Sequence, residues 1–280
     1  MTLLDKYAGQ LGGKRIGNRI VCPGPGHSRA DRSLSVYFAT DGSFTTHSFA
    51  GDDFAACRDH VKAVLGLDDR EPQPLPLEPV RPLDKRAQSA KAMRIWSEAV
   101  PIAGTLAEAY LASRGLAYDG DALRFHPSCP FGKDRHPAML GLMTDILTNE
   151  PTGIHRTALL ADGSGKAAPG KQMMGRAKYA VVRLSPDETV THGLAVAEGI
   201  ETALAALFRP IWACLSAGTM SAFPALSGIE SVTIFADHDP AGVKAANDCG
   251  KRWHEAGREV HMVMPAQAGS DMAEVINAAA

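Results

Sequence analysis

The stretch that decides the fold runs from residue 193 to residue 264: GLAVAEGIETALAALFRPIWACLSAGTMSAFPALSGIESVTIFADHDPAGVKAANDCGKRWHEAGREVHMVM. Short apolar runs (GLAVA, IWACLS, SVTIFA, VHMVM) alternate with segments whose apolar residues recur at helical spacing (GIETALAAL, MSAFPAL, AGVKAANDCGKRWHEAG, and SDMAEVINAAA beyond it). Strand and helix by turns predict an α/β unit with a mostly parallel sheet. In such sheets the functional site lies beyond the carboxyl ends of the strands. Acids stand at those places: Glu198 directly after GLAVA, Asp237 and Asp239 directly after SVTIFA, and Asp271 ahead of the last helical segment. Hard oxygen ligands of this kind suit Mg2+, which takes a few carboxylates, keeps several waters and bridges to substrate phosphates. Helix-capping acids would also sit near helix N-termini, and only the combined positions of the four favour a metal site.

Working outward, residues 123–185 read as strand-like and loop-rich, and KRAQSAKAMRIWSEAV and TLAEAYLASRG before them as two helices, the second with Thr105 as N-cap and Gly115 past its end. The run EPQPLPLEPVRPLD (71–84) holds five prolines and reads as an extended spacer. Upstream, RIVC, SLSVYF and SFTTHSF are β-type pieces, followed by a helix from Asp53 to Leu65 stopped by Gly66. The predicted organisation is a small β-rich module (1–70), a proline-rich linker (71–85), a basic α+β segment (86–190) and the α/β domain (191–280).

The 280 residues are 45% hydrophobic and 21% charged, which excludes a disordered chain. No apolar run approaches the ~20 residues of a bilayer crossing and no signal-peptide core opens the chain, so a cytoplasmic protein is expected. Five scattered cysteines suit a reducing compartment. The net charge is −2, unevenly placed: residues 110–185 hold ten Lys/Arg against six Asp/Glu, residues 193–280 five against ten. A basic part beside a part whose carboxylates hold cations fits this asymmetry.

With EGIETALA, LSAG, FADHDPAG and GREVHMVMPAQAGSD in this order, residues 193–280 resemble the Toprim domain shared by topoisomerases, bacterial and phage-type primases and some nucleases. The resemblance implies metal-binding roles for Glu198, Asp237 and Asp239, the catalytic acids, and for Asp271 with Glu274; Ala273 replaces the usual asparagine. GTLAEAYLASRGL, LRFHPSCPF, PAMLGLM, TGIHRTALLADG and KQMMGRAKYAVVRL are similar to the segment ahead of Toprim in phage- and plasmid-encoded primases. That resemblance implies a Mg2+-dependent (or Mn2+-dependent) DNA primase of a mobile genetic element, with single-stranded DNA and nucleoside triphosphates as partners and a helicase on another chain. Its phosphate groove would be lined by His155, Arg156, Lys166, Lys171, Arg176 and Lys178; from Gly163 to Ser185 there are five cations and no acid. The bland reading is solvated surface charge. A metal-dependent Toprim nuclease and a non-catalytic single-stranded DNA-binding accessory are the alternatives. ADGSGKAA is not a phosphate loop, since Leu160 and Ala167 stand where glycine and Ser or Thr are needed.

Cys22 and His27 in VCPGPGHSRADRSLSV resemble the first half of the zinc ribbon that opens many such primases. In the second half, HSFAGDD, Ser48 and Asp52 replace the cysteines. Three outcomes are open: no zinc, a weakened site using His47 or Asp52, or a re-routed site using Cys57 and His60, which share a helical face. Lys14, Arg29 and Arg32 could touch single-stranded DNA. Tyr37, Phe38, Phe44 and Phe49 could stack bases, although alternating aromatics in short strands are more often core.

Overall fold

The computed structural model describes residues 2–39, 41–67 and 84–269. Residues 71–83 of the proline-rich linker, Asp271 and Glu274 lie outside the described residues. The chain divides into two compact units, Met1–Pro82 and Leu83–Ala280.

The first unit runs α1 (Leu3–Gln10), β1 (Lys14–Ile16), β2 (Arg19–Cys22), β3 (Leu34–Phe38), β4 (Phe44–Ser48) and α2 (Phe54–Leu65). Its strands form an antiparallel meander, β1-β2-β3-β4. A capping box between Thr2 and Asp5 starts α1; Asp53 caps α2, and Gly66, at φ 66°, ends it. Leu4, Leu11, Ile20, Leu34, Val36, Phe38, Cys57 and Val61 make the core. Phe38 is therefore core, and Phe44 packs against it with ring centroids 5.8 Å apart. Tyr37 and Phe49 point outward.

The second unit starts with α3 (Lys85–Glu98), β5 (Val100–Pro101) and α4 (Leu106–Ala112), capped by Thr105. Long strands follow: β6 (Leu123–Phe131), β7 (Asp134–Asp145), β8 (Pro151–Leu159), β9 (Lys166–Gly175) and β10 (Ala180–Arg183). The α/β part is β11 (Gly193–Ala197), α5 (Ile200–Ala205), β12 (Ile211–Ala213), α6 (Ala217–Ser221), β13 (Ser231–Phe235), α7 (Pro240–Glu255) and β14 (Glu259–Val263). Pro224 lies inside the segment expected to form a helix from Met220, and the helix forms earlier instead, where Ser216 accepts a hydrogen bond from the Thr219 N–H.

One ten-stranded sheet unites this unit, in the order β14-β13-β11-β12-β10-β7-β6-β5, with β8 and β9 branching from β7. β12, β11, β13 and β14 are mutually parallel, and β10 joins them to the upstream strands by antiparallel pairs to β12 and β7. The boundary expected at 190/191 thus falls inside a continuous sheet. Both faces of the α/β part are covered. On one, α4 and α5 bury Tyr110, Leu111, Ile200 and Leu204 against Leu123, Val182 and Ala197. On the other, α7 buries Gly242, Ala245, Ala246, Cys249, Gly250 and Trp253, an i, i+3, i+4, i+7 stripe, and Trp253 stacks on Phe223 at 6.3 Å. Replacing the fully buried Trp253 by alanine would cost about 3–5 kcal/mol.

Candidate active site at the strand switch point

In the parallel part, β11 is followed in sequence by β12 on one side, while β13 lies on its other side. The chain therefore changes direction between β11 and β13, and the crevice at their carboxyl ends is where open α/β sheets place ligands. Ala197 pairs with Phe235 at the last rung, so Glu198 and Asp237 leave the sheet close together. Burial pushes the Glu198 carboxyl above its ordinary range, and Asp237 and Asp239 push it further; the Ala217 N–H and Lys171 act against them. Three like charges are thus gathered at the switch point, an arrangement that favours a cation.

Asp239 is also the N-cap of α7: its Oδ1 accepts from the Gly242 N–H at 2.7 Å, and Pro240 fills the first turn. A Cβ at Gly242 would stand 2.4 Å from the Asp237 carbonyl oxygen, so only glycine lets the helix start this close to the D-x-D loop. His238 Nδ1 lies 2.7 Å from the Pro265 carbonyl, and the Gly269 N–H donates to the His238 carbonyl at 2.6 Å. The chain beyond β14 thereby returns to the D-x-D loop two residues before Asp271.

Beside the carboxylates lies a second polar cluster, which joins the expected Lys166, Lys171 and His155 to Glu201 and Tyr110, two residues that sequence reading missed. Glu201 sits on α5 with 3% exposure, its Oε2 2.8 Å from Lys171 Nζ, its Oε1 3.3 Å from Lys166 Nζ and accepting from the Tyr110 hydroxyl at 2.8 Å. Burial alone would raise its pKa, but Lys171 and Lys166 hold it well below the usual carboxylate range. Burial, with Glu201 beside it, pushes the Tyr110 hydroxyl up, so it stays a neutral donor. His155, also buried, is pushed down to about 4, first by burial and then by Lys171, and its Nδ1 has no hydrogen-bond partner. A signal for Glu201 existed: an acid embedded in the apolar run IETALA, on a helix every residue of which is buried.

Of the remaining cations, Arg176 and Arg183 find acid partners from outside the basic stretch. Arg156 is buried, lies 4.8 Å over the Phe131 ring and donates to the Pro130 carbonyl and to Gln172. Arg176 pairs with Asp145 at 2.8 Å, and Arg183 is buried over Trp212 with Asp187 at 2.6 Å. Lys178 is exposed, 4.9 Å over the ring of Tyr179. An open cavity of about 840 Å³ along α4, lined by Ile102, Thr105, Glu108, Leu116 and Tyr118, contains none of these groups. It is a broad apolar trough, so the carboxylates and cations mark the site better than volume does.

Two family models match the chain. One, described as a domain of unknown function (DUF7146), covers residues 86–184; the other, described as Toprim domain, covers residues 193–280. The C-terminal part of this chain is a Toprim domain. No curated protein matches significantly. Among solved structures, the chain is similar to the zinc-binding and RNA polymerase domains of the Aquifex aeolicus primase, at 15% identity and a TM-score of 0.47, over 99% of this chain and 80% of that one. A DNA primase domain from Pseudomonas aeruginosa is similar at 17% identity and a TM-score of 0.43, over 69% and 74%.

The Toprim acids can be tested against the ion the family implies. Among the described residues no group of three or more His, Cys, Asp and Glu side chains is arranged to hold a metal ion by itself. Mg2+ does not require one: it binds through one or two carboxylates, waters and substrate phosphates. Glu198, crowded by Asp237 and Asp239 in a half-buried crevice, fits that donor chemistry.

Zinc in the first unit is a different case. His27 places Nδ1 2.9 Å from Asp31 Oδ2 and Nε2 3.1 Å from Asp52 Oδ1, so carboxylates occupy both ring nitrogens. Ser48 donates to Asp52 at 2.8 Å. Gly24 makes room for this network, since a Cβ there would lie 2.7 Å from Asp52 Oδ2. Cys22 and Cys57 are packed in the core; burial pushes the Cys22 thiol up to about 11 and raises Cys57 as well. His47 is exposed with its ring edge-on to Phe49, and His60 is half-buried on α2. These residues do not fit a tetrahedral zinc site.

Proposed function

We propose that this chain is a Mg2+-dependent (or Mn2+-dependent) primase-type nucleotidyltransferase that makes short RNA primers on single-stranded DNA in phage or plasmid replication, working beside a separate helicase. The observation that carries the reading is the gathering of Glu198, Asp237 and Asp239 at the β11/β13 switch point of a Toprim domain. In this reading Glu198, Asp237 and Asp239 are the metal-binding, catalytic acids, and Asp271 completes the set. A bound divalent ion supplies neutralisation of the triphosphate and alignment of the 3′-hydroxyl with the α-phosphorus. Asp239, by capping α7, fixes the D-x-D loop. Lys166 and Lys171 present ammonium groups to the phosphates, and Lys178 contacts the template backbone. Arg156 and Arg176 hold the walls of the groove through Phe131, Gln172 and Asp145, and His155 is a neutral buried wall residue. Positioning and electrostatics carry most of such catalysis.

The domain organisation follows: residues 1–70 as a zinc-ribbon-like module contacting single-stranded DNA through exposed Tyr37 and Phe49 and the cations Lys14, Arg29 and Arg32, a linker at 71–85, a basic segment at 86–190 and the Toprim domain at 191–280. No helix among the described residues is long and apolar enough to cross a membrane, and a replication role places the protein in the cytoplasm.

Incubation with single-stranded DNA, labelled nucleoside triphosphates and Mg2+ tests the reading. Labelled primers, absent with Glu198→Gln, are expected. Cut DNA would make the protein a Toprim nuclease, and binding without either product a replication accessory.

A further inference from the structure

Glu201 follows Glu198 by three residues on α5 and takes no part in the carboxylate set. Its carboxylate is reached by two ammonium groups from one strand, Lys166 and Lys171 of β9, and by the Tyr110 hydroxyl from α4. Two cations on one carboxylate leave a surplus of positive charge, and buried, neutral His155 does not cancel it. Each ammonium has three donors, and only one is spent on Glu201. The lysine side chains remain 34% and 38% exposed, whereas the Glu201 side chain is 4% exposed, so both lysines stay open to solvent while their partner does not. Lys171 and Glu201 lie beside the acids: a Cβ on Gly199, the residue after Glu198, would lie 4.0 Å from Lys171 Nζ and 3.9 Å from Glu201 Oε2, and Lys166 joins them through the same carboxylate.

A lysine side chain free in solvent loses several rotatable bonds' worth of freedom when it grips a phosphate. Here that ordering is already done in the free protein. We propose that Glu201 is a positioning residue, whose buried carboxylate holds Lys166 and Lys171 at the edge of the Glu198 crevice so that the phosphates of a nucleoside triphosphate meet two ordered cations. The inference rests on the reading of Glu198, Asp237 and Asp239 as polymerase acids. Glu201 itself touches no substrate.

Glu201→Gln tests it, because glutamine keeps the volume and an oxygen that accepts from Tyr110 but removes the negative charge that draws both lysines and puts an NH2 group where Oε2 accepts from Lys171. Primer synthesis with ATP as the varied nucleotide should show KM raised about tenfold with kcat within about twofold, the pattern of lost ground-state binding. A purely structural role gives the opposite split: a smaller folded fraction lowers kcat and leaves KM unchanged. Unaltered KM in Glu201→Gln, with wild type active and Glu198→Gln dead, overturns the inference and leaves the proposed function standing. A wild-type protein that makes no primers overturns both. Should Glu201→Gln fail to fold, Glu201→Asp, too short to reach both lysines, should raise KM in the same sense, and an unaltered KM there also overturns the inference.

Discussion

Ala197 and Phe235 are partners at the final rung of two neighbouring parallel strands; Glu198 follows Ala197 directly, and Asp237 follows Phe235 after the single buried residue Ala236. The position of Glu198 against Asp237 is therefore set by sheet register, the least deformable part of the fold. A one-residue slip of β13 would turn its side chains to the opposite face of the sheet. The site is built on strand ends and only finished by loops.

Glu198→Gln should abolish activity while raising the stability of the metal-free protein. Burial and the two aspartates raise the pKa of Glu198 above 4.5, so its ionisation opposes folding at neutral pH. That penalty is fully present above the raised folded pKa and is relieved as pH falls through it toward 4.5. Mg2+ should raise the melting temperature of wild type at pH 7.5 and leave that of Glu198→Gln nearly unmoved. Scanning calorimetry with and without Mg2+ measures both effects; equal Mg2+ shifts in the two proteins would remove Glu198 from the metal site.

His155 gives the second unit an acid sensitivity of its own. Its folded pKa is pushed down to about 4 from 6.5. The unfolded chain takes up the proton first, so stability is full above pH 6.5 and is lost as pH falls toward 4, by about 3 kcal/mol in all. Urea midpoints for the second unit should fall across that window in wild type and stay flatter in His155→Gln. Parallel pH profiles for the two would show that the ring is not held neutral.

The first unit should hold its fold without metal. Because Asp31 and Asp52 engage both nitrogens of His27 and the thiols of Cys22 and Cys57 are packed in the core, elemental analysis of the purified protein should find well under one zinc per chain. A full equivalent, lost in Cys57→Ala or His60→Ala, would establish a re-routed site.

Much of this was legible in the sequence where local chemistry decides. Asp53 and Gly66 bound α2, Thr105 starts α4, and the small-residue stripe of α7 ends in the large buried ring of Trp253. The acids after β11 and β13 could be placed because strand ends in parallel sheets have a fixed functional side. What stayed hidden depends on contacts distant in sequence. The basic stretch looked free of acids, yet Glu201, Asp145 and Asp187 come to it from other elements. Alternation could not say which aromatics of the first unit faced out; pairing of β3 with β2 and β4 put Phe38 inside and Tyr37 outside. The single sheet crossing residues 184–193 was hidden for the same reason, since β10 reaches β12 only through antiparallel pairing.

The difference between paired and outward-facing cations makes the last prediction specific. Lys178 is exposed above Tyr179, next to Ser216, Gly218 and Thr219, at the start of α6, whose Ala217 N–H reaches Glu198. Among the described residues its charge meets only a ring, so a phosphate there displaces counterions without breaking an ion pair. Arg183, buried against Thr144, Asp187 and Trp212, has no such freedom. Lys178→Ala should weaken single-stranded DNA binding alike for all sequences and flatten the plot of log affinity against log salt by about 0.7, the value of one released counterion on a single strand. Arg176→Ala should flatten it less, because Asp145 already offsets that charge at 2.8 Å. Fluorescence anisotropy of a labelled oligonucleotide over a salt series measures both slopes. Equal flattening in the two variants would mean that Arg176 leaves Asp145 for the DNA, and an unaltered slope in Lys178→Ala would place the template path on another face of the sheet.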